Sequence, residues 1–375
     1  MVARLSASYV LSDESYWPRQ LGTFRLRAAY GQAGRAPRVF DADRTWLQSG
    51  YNGNPEYLPS SVGNSKLGPE RSAEKEVGFD ATGMDDRLRA QVTFYRRDTR
   101  DALLPVQQPP SLGFLNPQLE NVGSIRTQGL EMSLDGTIGR DGGVFADIGL
   151  DVSLNRSRIT SLGGTPSFVI GDVAWIRQGY AAPVLIGTFV RNANEIADPV
   201  IETNHVFGPN NPTRVVGAHT DLHLWRNTRV GARVEYQGGN YLYDNASGSL
   251  LRQGVHPICK SADDNKAAGH AELLTAFERV YCNITTVPAD AMIVRGDFVK
   301  LRDLSVTVLL PGSLMRVRDA TLTLAARNFL IWKNSDLKTF DPEMGGRDGI
   351  DAPTRTIELG VPPPAAMTLA IKVNY

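Results

Sequence analysis

The sequence predicts an all-β fold: an antiparallel transmembrane wall of about eleven long strands, part of a β-barrel with short turns at one rim and long loops at the other. Three observations predict it. Apolar and polar residues alternate with a period of two. The alternating runs reach 10 to 15 residues, against the ~5 to 6 usual in soluble sheets. The connections between them switch between short and long.

Composition frames this reading. The chain has 375 residues, 42% of them hydrophobic and 21% charged, with 36 Gly and 22 Pro, so wholesale disorder is excluded. Forty Lys and Arg balance forty Asp and Glu, which leaves no net field to draw in nucleic acid, and no nucleic-acid partner is expected. Mean hydropathy is -0.23. No apolar run approaches the ~18 residues of a spanning helix, and no charged-then-apolar leader follows Met1. Strands escape that test, because a membrane strand needs only ~9 to 11 residues and alternates.

The expected strands, in order, begin with Val2–Leu11 and Leu21–Gln32, the second carrying Arg25 and Arg27 on its polar face. Arg71–Thr82 sets Glu74, Glu76 and Asp80 against apolar neighbours. Leu88–Tyr95 alternates Leu88, Ala90, Val92 and Phe94 with Arg89, Gln91, Thr93 and Tyr95. Gly123–Ile138 follows, then Ala146–Asn155, where Ile148, Leu150, Val152 and Leu154 interleave with Gly149, Asp151, Ser153 and Asn155. Thr213–Trp225 and Thr228–Gly238 come next, with Arg229, Arg233 and Glu235 sharing one face of the latter. Phe298–Leu310, Arg318–Trp332 and Met367–Tyr375 complete the set, and the last has a wholly apolar face of Met367, Leu369, Ile371, Val373 and Tyr375. A soluble sandwich core can show the same alternation. The connections discriminate, because loops such as Thr160–Pro212 and Gly239–Asp297 are uncommon in compact soluble domains. Trp17, Trp332, Tyr9, Tyr30 and Tyr375 also stand near strand ends, as at a membrane interface.

Direction adds a constraint. The first strand ends at a short turn and the last follows a long loop, so both run from the long-loop side to the short-turn side. An odd number of strands with both ends descending cannot close antiparallel, and open edges in hydrocarbon are costly. Residues 1–375 are therefore expected to be an incomplete, C-terminal part of a larger barrel, forming a curved open sheet on their own.

Six segments carry a resemblance to a known family: Leu26–Pro37, Glu74–Ala81, Arg87–Leu104, Asn121–Leu134, Gly296–Leu310, and Leu322–Pro342 with its ARNFLIW and FDPE stretches. In order and spacing they resemble the C-terminal barrel of TonB-dependent outer-membrane receptors of the SusC/RagA type. The resemblance implies a 22-stranded barrel threaded by a plug. It also implies a place in the cell outer membrane of a Gram-negative-type bacterium, and import of a nutrient ligand such as a glycan or peptide. No plug domain is read in the sequence, so the plug and the N-terminal half of the receptor are expected partners. The others are the TonB complex, reached through that missing part, a SusD-like surface lipoprotein, and outer-membrane lipid. The resemblance further implies that the last strand, ending in Tyr375, is the signal read by barrel-assembly machinery. A soluble all-β binding domain and a small independent porin are the alternatives.

Several side chains are candidates for chemistry. His219, Asp221 and His223 share one face of a strand at steps of ~6.8 Å, which permits either a metal site or plain lumen polarity. With Arg229, Arg233 and Glu235 they form the candidate ligand-binding or lumen-facing set. Cys259 and Cys282, the only cysteines, fall in one long loop facing an oxidising space, and a disulfide is expected. Between them Leu273, Leu274, Phe277, Val280 and Tyr281 recur at helical spacing, so a short amphipathic helix is expected there. Asp341, Glu343, Asp348 and Asp351 cluster among glycines, where calcium ligation competes with ordinary turn formation. No cofactor is expected beyond that calcium alternative. No nucleophile triad, catalytic carboxylate pair or phosphate loop appears in a fitting context, so no catalytic residue is assigned and an enzyme is not expected.

Overall fold

In the computed structural model, residues 3–114, 116–139, 143–225, 227–311, 318–338, 341–343, 345–346, 354–358 and 360–374 are described. Eleven strands form one continuous antiparallel sheet in chain order. They are β1 (Arg4–Val10), β2 (Phe24–Arg35), β3 (Glu70–Gly83), β4 (Leu88–Arg100), β5 (Ser124–Gly139) and β6 (Phe145–Ser161). β7 (Arg214–Leu224), β8 (Thr228–Gly238), β9 (Phe298–Pro311), β10 (Asp319–Lys333) and β11 (Ala366–Asn374) follow. Every expected strand is present. β4 ends at Arg100, and β6 runs on to Ser161, two residues into the long connection expected from Thr160.

Register lines residues up into rows across the sheet. One row joins Tyr9, Leu26, Phe79, Val92, Met132, Val152, Val216, Tyr236, Val299 and Trp332. The next joins Ser8, Arg27, Gly78, Thr93, Glu131 and Ser153. Successive side chains point to opposite faces, so one face is apolar and the other polar along the whole width. Leu26, Val77, Phe94, Leu324, Leu369 and Ile371 on the apolar face are all exposed, so that face is not the core of a sandwich.

The polar face is concave. Arg27 on β2 and Arg233 on β8 lie six strands apart, ~29 Å along a flat sheet, yet both line one groove of about 570 Å³. Two strand glycines admit large neighbours on this side. A Cβ at Gly149 would lie 2.0 Å from the His219 ring, and one at Gly129 would lie 2.7 Å from the Tyr95 ring. At the sheet margins β1 pairs only with β2 and β11 only with β10 among the described residues.

The long connections fold into a cap with the largest buried apolar cluster. Two small four-stranded sheets, one within residues 168–209 and one drawn from residues 241–244, 293–295, 345–346 and 356–357, pack with helices α1 (Asn245–Arg252), α2 (Lys260–Ala267) and α3 (Ala276–Tyr281). Fully buried Asn210 ties three loops together. Its side chain donates to the carbonyls of Tyr241 and Arg355, each at 3.0 Å, and accepts from the Arg355 amide at 2.6 Å. Cys259 and Cys282 are joined in a disulfide that clips α2 to the end of α3. The helix expected from Leu273 to Tyr281 is shorter than that spacing implied. A single turn at Ala271–Leu273 ends before Thr275, which caps α3 by accepting from the Glu278 amide while the Glu278 carboxylate accepts from Thr275.

These faces predict an asymmetric response to charge. Val92→Arg, on the apolar face, should destabilise the membrane-inserted protein by ~2 to 4 kcal/mol, while Gln91→Arg, which faces Asp80 on the polar side, should cost little. Denaturant titration in lipid vesicles checks the order.

Candidate functional site

The concave face is a lattice of cross-strand charge pairs. Arg25 and Arg27 converge on Asp80 at 2.5 and 3.2 Å, and Arg97 pairs with Glu74. Arg229 reaches Asp221 at 2.8 Å and Arg327 reaches Asp303 at 3.0 Å. Their positions follow from register, which sets opposite charges on neighbouring strands within reach.

His219, Asp221 and His223 do not converge, which favours the lumen-polarity alternative over a metal site. His219 lies with its ring nitrogens 3.8 Å from Asp135 and 4.0 Å from Asp151. Asp221 is held by Arg229, and His223 stacks on Phe145 with ring centroids 4.1 Å apart. The flat strand spacing hands each of the three to a different cross-strand neighbour. Arg233 and Glu235 do line the central groove with Arg27, Glu131 and Asp151.

A tighter cluster joins the sheet to the cap. The β8–β9 register shifts between Arg233 and Val234, so that Val234 pairs with Leu301 and Arg233 with Asp303, leaving Arg302 as the extra residue of a bulge. Arg302 forks between Glu235 at 2.7 Å and both oxygens of Glu343 at 2.7 and 2.8 Å. Beside it Lys300, fully buried, reaches Asp341 at 2.9 Å and Glu343 at 2.6 Å. Burial opposes ionisation of Glu343, but hydrogen bonds from Arg302 and Lys300 outweigh it and hold its carboxyl down at about 2. In the cap, burial pushes the Asp244 carboxyl up, although the Ser247 amide and hydroxyl both donate to it, and pushes the neighbouring His256 down.

Residues 3–262 match the family described as TonB dependent receptor-like, beta-barrel. The chain belongs to that family. TonB-dependent receptor P26 of Formosa agariphila is 25% identical over 99% of this chain and 42% of its own length. TonB-dependent receptor P39 of the same organism is 27% identical over 44% of this chain. Among solved structures, the RagAB peptide importer in its closed-closed state superposes with a TM-score of 0.76 at 20% identity, over 99% of this chain and 43% of that one. Its open-open state gives 0.70. The chain thus spans less than half the length of P26, and its fold is that of the SusC/RagA-type barrel wall.

Of the four candidate calcium ligands in this receptor chain, Asp341 and Glu343 come together on Lys300 and Arg302, so their charge is already matched. Asp348, Asp351 and the terminal Tyr375 lie outside the described residues. Among the described residues no group of three or more His, Cys, Asp or Glu is arranged to hold a metal. Lys300 and Arg302 were not candidates from sequence, yet a signal is there: Arg302 and Asp303 are consecutive polar residues that break a period-two run, the mark of a bulge.

The depressed Glu343 carboxyl predicts acid release of the last loop. Its folded value lies below its unfolded one, so its contribution is complete above about pH 4.5 and is lost as pH falls towards 2, amounting to ~3 kcal/mol at most. Glu343→Gln should remove that pH dependence and speed hydrogen exchange at residues 354–358 at neutral pH. Hydrogen-exchange mass spectrometry between pH 3 and 7 measures both.

Proposed function

We propose that this chain builds half the wall of an outer-membrane importer that takes up a nutrient ligand too large for porins, a glycan, a peptide or a similar oligomer. The carrying observation is the pair of margins, β1 and β11, unmatched among the described residues, on a sheet whose outer face carries an apolar belt from margin to margin. In hydrocarbon each unpaired backbone group costs several kcal/mol, so strands beyond these margins must complete the barrel. Coverage of 42% to 43% of P26 and of the RagAB importer supports the same reading. The polar concave face then lines a lumen whose mixed, mutually paired charges suit a wide interior occupied by a plug. Energy enters through the TonB complex, and no step of chemistry is assigned to any side chain.

A SusD-type surface lipoprotein is the proposed partner at the loops. The hairpin Thr45–Tyr51 and Asn54–Ser61 forms its own two-stranded sheet and exposes Trp46, Leu47, Tyr51, Tyr57 and Leu58. An isolated hairpin is marginal in water, and an exposed apolar patch of this kind marks a protein contact.

Removal of the gene tests the proposal. The protein should fractionate with the outer membrane and resist carbonate extraction, and the deletion strain should lose growth on at least one class of oligopeptide or oligosaccharide while keeping growth on monomers. Unchanged growth on every oligomer, or a protein released by carbonate, would refute it.

A further inference from the structure

The outward face is apolar only up to a line. Val77, Phe94, Leu130 and Leu154 share one cross-strand row. The next outward row, one step of two residues nearer the long loops, is Lys75, Arg96, Gln128 and Arg156. The row beyond it contains Asp98, Arg126 and Arg158. Four apolar side chains thus give way within ~7 Å to three cations, and within ~14 Å to five cations and one carboxylate.

This rim differs from the concave face, where register sets opposite charges together. Asp98 is the single carboxylate of the two rows, and it accepts from Arg126 at 2.7 Å and from Arg96 at 2.9 Å. Lys75, Arg156 and Arg158 have no ion-pair partner among the described residues. The chain as a whole is neutral, so this local excess is a matter of placement and not of composition. A groove of about 560 Å³ straddles the line, with the apolar row as one wall and the basic row as the other. A second hollow of about 340 Å³ continues it towards the loops between Arg126, Arg156, Arg158 and Gln178.

We propose that this rim binds a membrane lipid that carries phosphate groups on a multi-acyl anchor, seated in the leaflet on the loop side. The arginines present planar donor pairs that match phosphate oxygens, and the acyl chains lie along Val77, Phe94, Leu130 and Leu154. The proposal rests on the outer-membrane reading above. A lipid headgroup is favoured over a soluble anion because the basic rows stand directly on the lipid-facing belt, and the groove joins the two surfaces.

The test uses the receptor extracted from outer membranes in mild detergent. Native mass spectrometry should find phosphorylated lipid on the wild type and about tenfold less on an Arg126→Ala/Arg156→Ala/Arg158→Ala variant. Purified lipid A, a bis-phosphorylated multi-acyl disaccharide, should bind the delipidated wild type about tenfold more tightly than its dephosphorylated form, and millimolar inorganic phosphate should not displace it. An Arg156→Lys/Arg158→Lys variant, which keeps the charge and the fold, should fall between the two. Equal lipid on wild type and triple variant, or equal binding of the two lipid forms, would overturn the proposal. Displacement by inorganic phosphate would overturn it in favour of a free-anion site. Release of the wild type from membranes by carbonate would overturn the membrane reading itself, and this proposal with it; embedding with equal lipid would overturn this proposal alone.

Discussion

A backbone amide placed in hydrocarbon has no water to bond with, and the rest of this structure depends on that constraint. It makes the strands long, because each ladder must span the apolar slab, and it makes them antiparallel neighbours in chain order, because short turns can satisfy every group. Alternation then follows from the pleat: whatever faces lipid on Val92 must be answered by something polar on Gln91 and Thr93. The same constraint makes β1 and β11 the most informative strands, since among the described residues each pairs on one side alone while the other nine pair on both.

Inside the curve, charge takes the part that apolar packing takes in a soluble core. The largest buried apolar cluster among the described residues sits in the loops, stapled by Cys259–Cys282, with Asn210 knitting the loops together, while the sheet is held by its ladders and by cross-strand pairs such as Arg25–Asp80 and Arg229–Asp221. One place where the two regions meet is the bulge of β9. Lys300, with no exposed surface, would be untenable alone, and Asp341 and Glu343 from the last long loop neutralise it while Arg302 holds Glu343 from the side. A loop segment and the wall are thus joined by a network in which the buried Lys300 meets its carboxylate partners only when the loop is in place.

The wall was almost wholly legible in the sequence, because its period is two and its turns are punctuated. The eleven strands, their order, their open margins and the polar assignment of Arg229, Arg233 and Glu235 all follow from alternation and connection length. The cap was much less legible. Its helices are short and depend on tertiary burial, and α3 begins at a Thr275–Glu278 capping box that apolar spacing does not reveal. His219, Asp221 and His223 share a face as the spacing implied, but a pleated strand holds them apart. Which neighbour each one meets depends on a register that only the fold supplies.

The central claim is that the two faces of this sheet meet lipid and water respectively, and one measurement tests it most directly. Spin labels placed singly at each position from Leu88 to Phe94, in the receptor reconstituted into vesicles, report collision with lipid-soluble oxygen and with a water-soluble nickel chelate. Oxygen access should peak at Leu88, Ala90, Val92 and Phe94, with nickel access peaking at Arg89, Gln91 and Thr93. Accessibility without a period of two, or low oxygen access at Ala90, Val92 and Phe94, would contradict the account and return the sheet to a soluble setting.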